Sequence, residues 1–309
     1  MHALGQTGIQ VSRLCFGTLT LGPLQGNLPV DQAGELLRYA HTLGVNFFDT
    51  AQLYGTYPHI RAGLSGLEAV ICTKTYAYER AEAEAAVEEA RRETGRDVID
   101  VFLLHEQEGA QTLRGHGPAL DALYNAKAKG HVRAVGLSTH HVAGVYAAAS
   151  QKLDVVHPLY NLPGLGIADG TAEDMEQAIQ AAHECGLGVF AMKVLGGGHL
   201  RGNAAEALSF ALGHPGVDSV AVGMAMMPEI ESNVAFFTSG AFPDVYREVE
   251  KQPRRIVIDE DCEGCGACLD ACRPGALALH DGMAVCDPSR CRLCGYCAAH
   301  CRGFYIKNL

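Results

Sequence analysis

The cysteines constrain this chain more than any other feature. There are 12, and Cys15, Cys72 and Cys185 are the only ones in the first 250 residues. The other nine fall between Cys262 and Cys301. Cys262, Cys265, Cys268 and Cys272 follow a C-x2-C-x2-C-x3-C spacing, and Cys291, Cys294, Cys297 and Cys301 repeat it. A disulfide framework belongs to an oxidising compartment. Residues 1–17 show neither the apolar stretch nor the small-residue cleavage site of a secretion signal. Thiolate ligation of metal is therefore the expected role. Structural zinc uses separated cysteine pairs around a four-coordinate ion, and two unbroken four-cysteine runs fit that poorly.

The two runs resemble those of two-cluster bacterial ferredoxins, in which three thiolates of one run cap three irons of a cubane and the fourth crosses to the other cluster. The resemblance implies one [4Fe–4S] cluster on Cys262, Cys265, Cys268 and Cys301. It implies a second on Cys272, Cys291, Cys294 and Cys297. Gly264, Gly266 and Gly295 supply backbone freedom for turns around a cluster. The runs depart from the usual C-P ending, since Pro274 follows in C-R-P and the second run ends in C-R-G. Arg254–Ile258 reads as an opening strand, with Gly275–Leu279 and Met283–Val285 as a hairpin between the runs. So small a unit, residues 251–309, has little apolar core, and cluster binding is expected to carry much of its stability. Cys286 matches no ligand position and reads as an ordinary thiol. Cys15, Cys72 and Cys185 read as core residues.

Residues 1–250 have a different character. Eight short apolar runs, at 14–17, 46–51, 69–75, 99–105, 132–138, 155–160, 188–194 and 219–223, suit parallel strands buried on both faces. Amphipathic segments separate them, at 31–43, 80–94, 118–129, 141–151, 172–185, 203–212 and 228–236. Asp31 and Thr171 read as N-caps, and Gly44, Gly95, Gly130 and Gly186 as residues just past helix ends. The alternation predicts a (β/α)8 TIM barrel followed by the small α+β ferredoxin-like iron–sulfur domain. A doubly wound sheet is the second choice, since the first strand is not followed by G-x-G-x-x-G.

Barrel chemistry sits at the C-terminal ends of strands. Asp49, Lys74 and His105 end the second, third and fourth, and Tyr54 follows Asp49. The segment Phe47-Phe48-Asp49-Thr50-Ala51-Gln52-Leu53-Tyr54-Gly55 resembles the Asp-Thr-Ala…Tyr-Gly signature of aldo-keto reductases. Cys72-Thr73-Lys74, Asp100–His105 and Val132–Ser138 resemble the family's lysine, histidine and fifth strands. Ala191–Gly198 resembles its seventh strand in the subgroup fused to a ferredoxin domain. The resemblance implies Tyr54 as proton donor, with Lys74 lowering its pKa, Asp49 holding Lys74 charged, and His105 orienting a substrate carbonyl.

It also implies NADP or NAD across the barrel mouth, near Ser138, Thr139, His157, Met192, Lys193, Gly196, Glu231 and Asn233. Thr139, His157 and Met192 replace the family's usual Asn, Gln and aromatic residue. Residues 222–233 lack the Arg that many relatives use for the 2′-phosphate of NADP. Lys193 and Gly196–Gly198 are alternative pyrophosphate contacts. Phe16, Tyr57 and Tyr76 are candidate pocket aromatics, and the His140-His141 pair is not read as a metal site.

The expected substrate is a small carbonyl or alcohol, with the clusters exchanging electrons with a partner protein. The alternative is an iron–sulfur electron-transfer protein on a barrel that has lost carbonyl reduction. A formal charge of −11, from 24 Lys+Arg and 35 Asp+Glu, argues against nucleic acid or an anionic membrane as partner. The missing signal and the oxygen-sensitive clusters lead to the expectation of a cytoplasmic protein.

Overall fold

The computed structural model describes residues 1–309. It opens on a hairpin of β1 (His2–Ala3) and β2 (Gln10–Val11). Eight strands follow: β3 (Leu14–Gly17), β4 (Phe47–Asp49), β5 (Val70–Thr75), β6 (Ile99–Leu104), β7 (Val132–Thr139), β8 (Val155–Pro158), β9 (Gly188–Ala191) and β10 (Ser219–Gly223). They form a closed barrel of parallel neighbours, with β10 pairing β3, so the doubly wound alternative is excluded. The helices are α1 (Val30–Thr42), α2 (Tyr57–Leu64), α3 (Arg80–Thr94), α4 (Ala110–Gly115), α5 (Gly117–Ala128), α6 (Val142–Ser150), α7 (Ala172–Glu184), α8 (Ala204–Gly213), α9 (Met227–Ser239) and α10 (Tyr246–Glu250). No helix is long and apolar enough to cross a membrane.

The period of two along each strand divides the core. Cys15, Phe47, Val70, Cys72, Val101, Leu103, Val155 and Phe190 fill the barrel interior, where Leu4, Ile9 and Val11 join them from the N-terminal hairpin. Phe16, Phe48, Ile71, Phe102, Val135, Val156 and Val189 point outward and pack with the helices. One step beyond Phe47, Cys72 and Val155, the inward positions become Asp49, Lys74 and His157, so the polar site is the top layer of the interior stack. Phe16 and Tyr57 are buried core residues instead of pocket aromatics, and the Tyr57 hydroxyl bonds Thr73 at 2.8 Å.

Helix ends follow local chemistry. Thr171 accepts from the Asp174 amide while the Asp174 side chain accepts from Thr171, a reciprocal capping box on α7. Asp31 is not a cap, because α1 begins at Val30 after Pro29; it lies in the first turn, where its charge favours the helix dipole. Cys185 ends α7 exposed, not in the core, because the helix turns that position outward.

The C-terminal unit contains β11 (Ile256–Ile258), α11 (Ala267–Ala271), β12 (Leu277–His280), β13 (Met283–Cys286), α12 (Tyr296–Ala299) and β14 (Ile306–Asn308). β11 pairs with β14, and β12 with β13. Its buried core is Cys268, Leu277, Ala284, Cys297, Ala298 and Ile306. β14 reaches back onto the barrel mouth over the glycine run. A side chain at Gly198 would collide with the backbone oxygen of Asn308, and one at Gly197 would press on Lys307 and Phe304.

Candidate functional site

The barrel register brings the four strand-end residues together. Lys74 Nζ lies 2.7 and 2.8 Å from the two carboxylate oxygens of Asp49 and donates to Thr50 O at 2.8 Å. Both side chains are buried, at 1% and 7% exposure. Burial works against the Lys74 ammonium as the largest single effect, but Asp49, with Tyr54 and Cys72 adding to its pull, leaves the pKa above the ordinary lysine value. Replacing Asp49 with Asn is expected to destabilise the fold by about 3–5 kcal/mol, because a buried ammonium loses its counter-ion. Urea unfolding measures this, and a change below about 1 kcal/mol would mean that water reaches Lys74.

Tyr54 is half-buried, with its ring centre 4.9 Å from Lys74 Nζ and edge-on to His105 at 5.8 Å between centroids. Burial pushes its phenol up to about 12, ahead of the opposing pull of Lys74. This corrects the expectation of a lowered pKa: Lys74 pulls downward as anticipated, but loss of solvent is the larger effect. Burial, reinforced by Lys74, holds His105 well below the ordinary histidine range, so it is neutral. Its Nδ1 is buried without a hydrogen-bond partner. Tyr76 stacks on the other side of His105 at 4.3 Å and donates to Glu106 Oε2 at 2.6 Å. Of the three aromatics singled out in the sequence, it alone reaches the site.

A cavity of about 580 Å³ opens over this layer, and Asp49, Tyr54, His157, Met192, Lys193 and Asn233 line it. His157 stacks on Phe190 and donates from Nδ1 to the Phe190 carbonyl at 2.5 Å, leaving Nε2 3.9 Å from Asp49. Burial lowers its pKa to about 4 against the pull of Asp49. Four other anticipated cofactor contacts lie elsewhere. Ser138 is fully buried and accepts from the Glu106 amide. Thr139 is also buried and accepts from the His141 amide. Gly196 belongs to the loop beneath β14. Glu231 bonds Tyr39 at 2.6 Å, because the helical phase of α9 turns Glu229 to the cavity instead.

Sequence reading missed the cations on this wall. Arg201, Arg254, Arg255 and Lys307 line the cavity, and Arg201 pairs with Glu229 at 3.1 Å. Three of the four come from residues after 250. Only the folded chain brings them to the mouth, so no local signal marked them.

Comparison with known proteins decides the family. The model of the aldo/keto reductase family matches residues 13–206, more than half of the chain. The chain belongs to the aldo/keto reductase family. It is 24% identical over 284 residues to L-galactose dehydrogenase of Arabidopsis thaliana, covering 77% of this chain and 88% of that protein. A putative aldo-keto reductase from Pseudomonas aeruginosa superposes with a TM-score of 0.68 at 26% identity, covering 78% of this chain and 96% of the other. An aldo-keto reductase from Bacillus halodurans in its holo form shares the fold, with a TM-score of 0.64, 20% identity and coverage of 79% and 92%.

Beyond the barrel of this aldo/keto reductase, the cysteine runs surround two cavities. One, of about 320 Å³, is lined by Cys262, Cys265, Cys268 and Cys301. A narrower one is lined by Cys272, Cys291, Cys294 and Cys297, joined by Cys286. Backbone amides point at four of the sulfurs: Ala284 to Cys262, Ala276 to Cys272, Leu293 to Cys291 and Tyr305 to Cys301, at 3.2–3.5 Å. Gly264, Gly266 and Gly295 have φ of 63°, 78° and 79°, the left-handed turns their spacing called for. No three His, Cys, Asp or Glu side chains converge closely enough to hold a single ion.

Proposed function

We propose that this family member is a nicotinamide-dependent carbonyl reductase whose C-terminal unit binds two [4Fe–4S] clusters that exchange electrons with a partner protein. The observation that carries the reading is Tyr54, which lines the cavity with Asp49, set between the Asp49-bound Lys74 and a neutral His105. Bound NAD(P)H supplies hydride to the carbonyl carbon. Tyr54 gives its phenolic proton to the carbonyl oxygen. Lys74, kept charged by Asp49, stabilises the phenolate left behind. His105 offers one ring N–H to the same oxygen and orients it beside Tyr54. Similarity to a protein named L-galactose dehydrogenase supports interconversion of alcohol and carbonyl.

Arg201, Arg254, Arg255 and Lys307 support a phosphate-bearing cofactor, since they provide cations where residues 222–233 have none. The cavity lined by Cys262, Cys265, Cys268 and Cys301 is consistent with one cluster's ligand set, and the cleft around Cys272, Cys291, Cys294 and Cys297 with the other's. Amide hydrogen bonds to the sulfurs suit thiolates on a cluster, and sulfurs spread around a cavity suit several irons better than one zinc ion. Clusters of this kind supply one-electron transfer.

The test uses anaerobically purified protein mixed with NADPH or NADH, with and without an aldehyde panel. Nicotinamide consumption and the visible cluster absorbance are followed together. Aldehyde-dependent consumption of nicotinamide is expected. An iron-bound chromophore that binds no nucleotide and reduces no aldehyde would favour the electron-transfer alternative. A protein purified without iron would remove the cluster half of the reading.

A further inference from the structure

We propose that Lys193 anchors an anionic group, a carboxylate, on the carbonyl substrate. This deepens the carbonyl-reductase reading and rests on it. Three lysines stand at the barrel mouth, and two of them have a carboxylate partner. Lys74 is neutralised by Asp49 at 2.7 Å, and Lys307 pairs with Asp259 at 3.2 Å. Lys193 makes no ion pair. Its Nζ lies 2.9 Å from Nε2 of His140 and 5.1 Å from the centre of the Phe304 ring. Burial and the charge of Lys193 hold His140 well below the ordinary histidine range, so it is a neutral acceptor and does not compensate the ammonium.

Lys193 therefore brings an ammonium with no direct ion pair, felt only at longer range by Glu106 and Asp259, to the wall of the cavity that also contains Tyr54. An isolated cation there is costly unless a ligand supplies the opposite charge. Burial, followed by repulsion from Lys307, lowers the Lys193 pKa to about 7, so near neutral pH the amine exchanges between charged and neutral forms, and a bound carboxylate would favour the charged one. The backbone adds an independent sign. Lys193 has φ 55° and Glu106 has φ 50°, left-handed values rare for residues with side chains and concentrated at functional sites. Glu106 engages Tyr76 and lies 3.8 Å from His140, so its carboxylate is committed to the rim.

Position favours substrate over cofactor phosphate. Lys193 points to His140, just beyond β7, and its charge is felt at His105. Arg201 and Glu229 pair on a different part of the wall, toward α9. A carbonyl held by Tyr54 and His105 would thus present its carboxylate to Lys193.

Two pairs of probes of equal shape and different charge test this. Calorimetry on the NADPH-loaded protein compares benzoate with benzamide, and turnover compares 4-carboxybenzaldehyde with 4-carbamoylbenzaldehyde. We expect the wild type to prefer the anion in each pair by about 10- to 100-fold. Lys193→Met should abolish the preference, its loss falling on the anionic member of each pair more than on the neutral one, while Lys193→Arg should retain part of it. Equal affinity for benzoate and benzamide in the wild type would overturn the inference, whatever the variants do. So would a Lys193→Met protein that keeps the preference, or one that loses NADPH affinity alone, which would assign the lysine to the cofactor's phosphates. Turnover of both aldehydes without preference would sink the inference and spare the reductase reading. A benzoate preference that depends on Lys193, with no turnover of either aldehyde, would do the reverse.

Discussion

Replacing Tyr54 with Phe is expected to lower kcat for carbonyl reduction by about 10²–10⁴-fold while leaving NADPH binding nearly unchanged. The substitution removes one oxygen and keeps the ring, so the edge-on contact with His105 and the cation above the ring survive. What is lost is the proton that must reach the carbonyl oxygen as hydride reaches the carbon. In the cofactor-free protein the phenol is pushed up to about 12, so it carries its proton at every working pH. In the proposed mechanism the acid is weak in the ground state, and its strength comes from the transition state, where Lys74 would stabilise the forming phenolate. The Tyr54→Phe effect should therefore fall on kcat more than on KM. Stopped-flow measurement of nicotinamide oxidation reads the chemical step directly. A variant that keeps a tenth or more of the wild-type rate would show that another group donates the proton.

Stripping iron from the proposed clusters of the C-terminal unit is expected to unfold residues 251–309 and to weaken NADPH binding by about 10- to 100-fold. The unit's buried core has six residues, and two of them are cysteines assigned to clusters. With so little apolar area, the proposed cluster ligation would supply most of the folding free energy. Arg254, Arg255 and Lys307 enter the cavity wall from this unit, so its unfolding removes those cations from the proposed nucleotide site. Gly198→Val separates the two halves of the argument. The new side chain meets the Asn308 backbone and should undock β14 while the cluster cysteines stay intact. NADPH affinity should then fall although the iron signal persists. Iron-free protein that binds NADPH as tightly as the intact form would refute the coupling.

Much of the site was legible residue by residue, because its geometry follows from local rules. Asp49, Lys74 and His105 close apolar runs in an alternating strand–helix pattern, and a parallel barrel carries such residues to one rim. The strand limits agree to within a few residues, since buried parallel strands are marked by their own apolar side chains. The elements that went unread have weak local signals. β1 and β2 are two residues each. α2 begins Tyr57-Pro58, its proline in the first turn, and mixes charge with apolar residues.

The misassigned cofactor contacts have a common origin. A position counted along the chain says that a residue is near the mouth, not which way its side chain faces. Two residues, about half a turn of α9, separate Glu229, in the cavity, from Glu231, on Tyr39. Of the glycine run at 196–198, Gly197 and Gly198 line the cavity and lie against β14, while Gly196 faces Leu165 and Leu200.

The sequence by itself determined the barrel, the identity of the strand-end residues and the grouping of eight cysteines into two repeated runs. These depend on periodicity and spacing, which are short-range properties of a chain. The tertiary structure alone decided the sign of the Tyr54 pKa shift, because desolvation depends on everything packed around the phenol. It also decided that cations missing after β10 arrive from the C-terminal unit, and that Lys193 faces a neutral histidine where the other two lysines face carboxylates. Charge balance in a cavity is a sum over residues distant in sequence, and no local pattern contains it.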